Sequence, residues 1–242
     1  MAEWLNVTFH GLDNAVFTAM GNINCGFLNF FCKVFSFFGE KGIPLILASL
    51  VLMCFAKTRK IGFTMLLAIA IGAIFTNVIL KNVVARARPF AQSDYYNYLW
   101  QQAGAVEEGE FSFPSGHTTA TTAFVVGLFL ACDKKWSWIG LPFALLMGFC
   151  RVYLVVHFTT DVLAGIIVGT VAGICSFFLV KLIYKWLNKN PQSKFCDFAL
   201  NFSVVNLFAK DKNVHLERRA IHDPVFSCGG RRDQTCGNGE AL

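Results

Sequence analysis

Residues 61–84 read "IGFTMLLAIAIGAIFTNVILKNVV", and no charged side chain interrupts them before Lys81. About 20 consecutive apolar residues suffice for a helix to cross the hydrocarbon core of a bilayer. The stretch shows no period-2 alternation, and open strand edges are not tolerated in lipid. It therefore predicts a membrane-spanning α-helix, and the class of the whole chain depends on how many such runs surround it.

Five further apolar runs are found, at about 24–38, 43–56, 116–132, 136–155 and 161–184. The last is as long as 61–84, whereas the first two are short and 24–38 carries Lys33. Over 242 residues, 55% are hydrophobic and 15% charged, which excludes the balance of a soluble domain. The expected fold is all-α, an integral-membrane bundle of six transmembrane helices occupying residues 23–187. Residues 1–22 are expected to form an interfacial segment, and "MAEWLNVTFHGLDNAVFTAM" lacks the basic leader and cleavage site of a removable signal. Residues 188–242 are expected to form a cytoplasmic tail, first amphipathic through Phe195, Phe198, Phe202 and Val205, then polar and disordered. His215, His222, Cys228 and Cys236 in that tail are spaced by 7, 6 and 8, which matches no compact zinc pattern. Neither metal nor cofactor is expected. Cys25, Cys32, Cys54, Cys132, Cys150 and Cys175 lie in or beside apolar runs, where sulfur serves as a small hydrophobe.

Charge gives the orientation. "KTRK" (57–60), "DKK" (133–135) and Lys181, Lys185 and Lys189 fall on one side if six helices alternate, and that side reads as cytoplasmic. The net charge of +6 is thereby explained by topology, with no nucleic-acid partner. Segment 91–110 holds four acids and no Lys or Arg, so it reads as extracytoplasmic. Its Tyr95, Tyr96, Tyr98 and Trp100 suit the headgroup level, either as anchors or as the border of a lipid entrance.

Three polar clusters fall on that extracytoplasmic side. In "KNVVARARP", Lys81 and Arg88 are seven residues apart and share a face within about 20° if the helix continues. Arg86 falls far from Arg88 around that helix and is expected to point to headgroups or solvent, with Pro89 ending the helix. In "FPSGHTTA" (113–120), a helix start follows Pro114, and Gly116 lets an anion approach free N–H groups at the positive end of the helix dipole. Ser115 can add a hydroxyl donor, and His117 can move a proton beside that seat. In "CRVYLVVHFTTD", His157 and Asp161 are four apart, so the carboxylate can fix the imidazole tautomer and leave the other nitrogen as nucleophile. Arg151 needs a turn before His157 to join them, and no Gly or Pro marks one. Taken singly, each cluster also suits a structural role: an interfacial basic end, a capped helix, a buried ion pair. Ionisable groups at this depth are costly without a purpose, and together the cations favour a phosphate-bearing substrate.

Lys81…Arg88-Pro89, Pro114-Ser115-Gly116-His117 and Cys150-Arg151…His157…Asp161 resemble, in order and spacing, the three signatures of the type 2 phosphatidic acid phosphatase superfamily. The resemblance implies a metal-independent phosphatase working through a phosphohistidine. In that scheme His157 is the nucleophile, Asp161 its support and His117 the general acid and then base. Lys81, Arg88, Arg151, Ser115 and the Gly116 amide would hold the phosphoryl oxygens. Cys150 stands where the family has serine, and is a further candidate contact. The implied substrate is a phosphorylated lipid such as phosphatidic acid, phosphatidylglycerol phosphate or undecaprenyl diphosphate, hydrolysed at the extracytoplasmic face of the cell membrane by a multi-pass protein. The same residue set resembles vanadate-dependent haloperoxidases, which are soluble. The rival readings are a catalytically silent membrane scaffold or lipid-binding protein of this fold, and a phosphatase for a soluble phosphomonoester.

Overall fold

The computed structural model describes residues 1–132 and 138–190, all of whose regular elements are helical. The "DKK" connector and the tail, with its Phe195–Val205 stripe and its His and Cys residues, lie outside the described residues.

Each of the six apolar runs contains a helix. They are α2 (Gly26–Phe37), α3 (Ile43–Met53), α4 (Arg59–Ala73), α7 (Gly116–Ala131), α8 (Gly140–Tyr153) and α9 (Thr159–Lys189). Ala2–Asn22 forms α1, and α6 (Asp94–Gln102) carries the loop aromatics, of which Tyr95 and Tyr98 are exposed while Tyr96 is buried in the core. α4 continues through a π-helical stretch, Ile74–Leu80, into α5 (Lys81–Val84). Among the described residues two segments are long and apolar enough to cross a bilayer, Arg59–Ala91 and Thr159–Lys189, or three if α1 and α2, which meet at 118°, form one broken span. α3, α7 and α8 are apolar but shorter, at 11, 16 and 14 residues.

Helices α4, α7 and α9 pack against one another as the core, with α3 on α4 and α8 on α7. Helices in lipid gain little from apolar burial against each other, so small residues and interhelical hydrogen bonds do the work. A Cβ on Gly169 would lie 2.7 Å from the Thr119 carbonyl oxygen, so α9 and α7 meet backbone to backbone there. Thr76 donates to Thr119 (3.1 Å), and Ser176 donates to the Thr64 carbonyl (2.6 Å). On its outer face α9 exposes Leu163, Ile167, Val171, Ile174, Phe178 and Leu182, an apolar stripe along its length.

The Lys60 ammonium sits 5.1 Å from the Tyr184 ring centroid, so the "KTRK" start of α4 lies beside the basic end of α9. Asp161, at the start of α9, is roughly 35 Å from that end by helical rise. The basic start of α4 and the basic end of α9 thus lie at the end of the bundle opposite Asp161.

Candidate active site

α8 ends at Tyr153, and the chain turns through Leu154–Phe158 before α9 begins. Val155 adopts a left-handed conformation (φ 57°), and the Val156 N–H closes the turn on the Arg151 carbonyl (3.3 Å). This turn, built on a valine, brings Arg151 and His157 to one cavity without the Gly or Pro that would have advertised it. His157 therefore precedes α9 instead of sharing a helical face with Asp161. Its Nδ1 still lies 3.6 Å from Asp161 Oδ2.

The basic cluster is also arranged differently from the continuous helix expected. α5 stops at Val84, Ala85 turns left-handed (φ 49°), and Arg88 is extended. Pro89 opens a short 3-10 turn, Pro89–Ala91, several residues beyond the helix end. Lys81 and Arg88 nevertheless line the same cavity, because beyond Ala85 the chain runs beside residues 110–112, the Ser112 N–H donating to the Arg86 carbonyl (2.8 Å). Arg88 donates to the Val156 carbonyl (2.9 Å) and to the Glu110 carbonyl (2.8 Å), and its Nη1 is 3.1 Å from His157 Nε2.

Arg86 corrects the sequence expectation most sharply. It is fully buried, pointing neither to headgroups nor to solvent, and donates to Asp161 Oδ1 at 2.7 Å. The helix break at Ala85 is the physical reason, since the angular argument held only for an uninterrupted helix. Asp161 Oδ2 accepts from Ser112 Oγ (2.5 Å) and from the Phe158 N–H (2.9 Å), so the same carboxylate caps α9 and faces the imidazole. Ser112 has no signature in the sequence beyond lying just before "PSGH".

Glu108 and Glu110 complete the constellation, and the sequence reading counted them only as acids of the outer loop. Glu108 pairs with Arg151 and, at 3.3 Å, with Arg88; Glu110 pairs with Lys81. Burial alone would raise the Glu108 carboxyl, but Arg151 and Arg88 hold it below its ordinary value. The three cations expected to meet phosphate are thus engaged by carboxylates. Burial, helped by Arg88 and Arg151 and opposed by Asp161, pushes the His157 imidazole down to about 4. His157 is neutral at neutral pH.

α7 begins at the cavity. Ser115 is its N-cap, accepting from the Thr118 N–H (3.4 Å), and its own N–H donates to the Asp161 carbonyl (3.0 Å), which ties α7 to α9. Gly116 and His117 line the cavity, and a Cβ on Gly116 would be 3.8 Å from the Lys81 ammonium. Ser115 and Cys150 are fully buried, Cys150 in an apolar cluster with Cys32, Tyr153 and Leu154. The cavity is ≈ 680 Å³, with Lys81, Arg88, Arg151, His117 and His157 on its wall. Among the described residues no His, Cys, Asp and Glu group could hold a metal ion.

Two histidines and a helix N-terminus thus meet Lys81, Arg88 and Arg151 on the wall of one cavity. The profile of the PAP2 superfamily matches residues 61–191, which holds every one of these side chains. The chain belongs to the PAP2 superfamily. Among PAP2 relatives, it is 37% identical over 122 residues to an undecaprenyl-diphosphatase of Sulfolobus acidocaldarius, covering 49% of this chain and 55% of that protein. It is 37% identical over 149 residues to phosphatidylglycerophosphatase B of Bacillus subtilis, covering 57% and 66%. The chain thus spans between half and two thirds of these relatives' lengths. The crystal structure of the transmembrane PAP2-type phosphatidylglycerolphosphate phosphatase of Bacillus subtilis shares the fold at a TM-score of 0.57, with 29% identity over 74% of this chain and 87% of that one. With its exposed apolar stripe and these kin, the PAP2 chain is a helical membrane protein.

Proposed function

We propose that this protein hydrolyses a phosphorylated lipid, a monophosphate or a diphosphate, through a phosphohistidine on residue 157. The observation that carries the proposal is the Arg88–His157 contact. A guanidinium only donates, so Nε2 must accept, and once substrate draws Arg88 away its lone pair faces a cavity walled by Lys81, Arg88 and Arg151. Nδ1 then carries the proton and faces Asp161 Oδ2.

In the proposed reaction Nε2 attacks phosphorus and the bond to the leaving oxygen breaks. That oxygen takes a proton from His117. His117 then accepts a proton from water, whose oxygen attacks the phosphohistidine and releases inorganic phosphate. Lys81, Arg88, Arg151 and the Gly116 amide at the start of α7 offset the charge on the equatorial oxygens. Ser115 and Asp161 act from behind, the first as the α7 cap and the second on the imidazole. Phosphate must displace Glu108 and Glu110 from these cations, so binding opens the 104–111 loop.

The six apolar helices are proposed as six membrane passes, with the site at the extracytoplasmic end, opposite the basic connectors. α1 is proposed as interfacial: its buried face carries Leu5, Asp13 and Phe17, while Trp4 and Val7 are exposed. The relatives named for undecaprenyl diphosphate and phosphatidylglycerophosphate support a lipid substrate. Purified protein in detergent, assayed for phosphate release from a panel of lipid mono- and diphosphates with EDTA present, tests the proposal. Release that is lost in His157→Ala is expected. No release from any phosphorylated lipid, or equal release by His157→Ala, would overturn it.

A further inference from the structure

Arg86 is fully buried and multiply bonded. Nε donates to Asn6 Oδ1 (2.7 Å), Nη1 donates to Thr160 Oγ1 and Asp161 Oδ1 (2.7 Å each), and Nη2 donates to Asp13 Oδ2 (3.3 Å). The guanidinium carbon lies over the Phe158 ring, 3.6 Å from its centroid. Asn6 and Asp13 both belong to α1, seven residues apart and hence on one face, and Asp13 is 2% exposed. α1 lies outside residues 61–191.

Asp161 has to stay negative toward His157 if it is to offset the charge that imidazole gains on bonding to phosphorus. A buried arginine on Asp161 Oδ1 opposes that, because it neutralises the carboxylate it holds. A second buried carboxylate on the same guanidinium divides the arginine's charge and returns negative potential to Asp161. Asp13 stands in that position.

We propose that Asp13, acting through Arg86, is a positioning residue for the Asp161–His157 pair, so that α1 contributes to the reaction besides packing on the bundle. Arg86 fixes the Asp161 carboxylate in orientation, and Asp13 sets how much of its charge His157 feels. The proposal rests on His157 being the nucleophile.

The test uses the full chain in detergent with an aryl phosphate, whose leaving group needs little protonation, and inorganic phosphate as competitive inhibitor. Asp13→Asn keeps an oxygen for Arg86 and removes the charge. It is expected to lower kcat/KM about three- to tenfold with the phosphate inhibition constant unchanged, as loss of a transition-state interaction requires. Asn6→Asp in that background returns a carboxylate to the Arg86 Nε and is expected to restore most of the loss. The Asp13→Asn effect should also vanish in an Arg86→Gln background, the signature of coupled residues.

If Arg86→Gln fails to fold, the Asn6→Asp rescue still decides. Wild-type kcat/KM in Asp13→Asn, or a loss that Asn6→Asp does not repair, would overturn the role of Asp13. A His157→Ala protein run alongside separates the two levels. Turnover surviving in it refutes the nucleophile, whereas a dead His157→Ala with an unimpaired Asp13→Asn refutes the positioning role alone.

Discussion

Arg88 Nη1 lies 3.1 Å from His157 Nε2, so the side chain assigned to hold phosphate occupies the lone pair assigned to attack it. The contact fixes the imidazole tautomer while the cavity awaits substrate. It also means that phosphate must draw Arg88 away before Nε2 can react. Glu108 reaches the same guanidinium from the other side at 3.3 Å.

Replacing Glu108 should therefore strengthen binding. Glu108→Gln removes the carboxylate that competes with phosphate for Arg88 and Arg151. The gain should be about 1 kcal/mol, roughly fivefold, a discounted value for a partly exposed charge-assisted contact. Competitive inhibition by inorganic phosphate measures it. Weaker inhibition in the variant would show that Glu108 assists binding.

His157 gives a pH dependence whose sign is fixed. Burial lowers its pKa from 6.5 to about 4 in the folded protein, so between those values the unfolded chain binds a proton that the folded one refuses. Stability is therefore lost as pH falls from 6.5 toward 4. Thermal unfolding of wild type and His157→Gln across that range should show the wild type losing more on acidification. Parallel curves would contradict a buried neutral imidazole.

Cys150 is fully buried beside Cys32, and the cavity wall does not include it. Cys150→Ser should leave vanadate inhibition unchanged and cost about 1–3 kcal/mol of stability for a hydroxyl among apolar neighbours. Tighter vanadate binding would instead place the side chain at the phosphate.

Gly169→Ala probes the α7–α9 contact. The new methyl would meet the Thr119 carbonyl oxygen at 2.7 Å and the Ala123 nitrogen at 2.9 Å, backbone atoms that cannot swing aside. A loss of about 1–3 kcal/mol is expected, read as a lower melting temperature in detergent. An unchanged melting temperature would mean that the helices separate freely.

The helical class and each apolar run were legible because bilayer burial demands long apolar stretches, as 61–84 displays. The three clusters were legible because their residue types and spacings are compact. What misled was the assumption of an unbroken helix after Lys81. Nothing in "VVARAR" announces the left-handed Ala85, so the sequence points Arg86 outward whereas it turns in to Asp161. The Arg151–His157 turn was equally silent, since Val155 takes a conformation that sequence reading assigns to glycine. Asp13 and Glu108 were missed for another reason. Their partners are distant in sequence, at Arg86 and Arg151, and only tertiary packing reveals them.

The nucleophilic role of His157 is tested most directly by trapping the intermediate. The protein is mixed with an aryl phosphate carrying labelled phosphorus, whose leaving group needs little protonation from His117, quenched in alkali and digested. The account predicts label on the peptide containing residue 157, stable to alkali and released by acid as a phosphoramidate is, absent from His157→Ala and accumulating in His117→Ala, where water is not activated. Label on another residue, or hydrolysis by wild type with no label trapped even in His117→Ala, would contradict it.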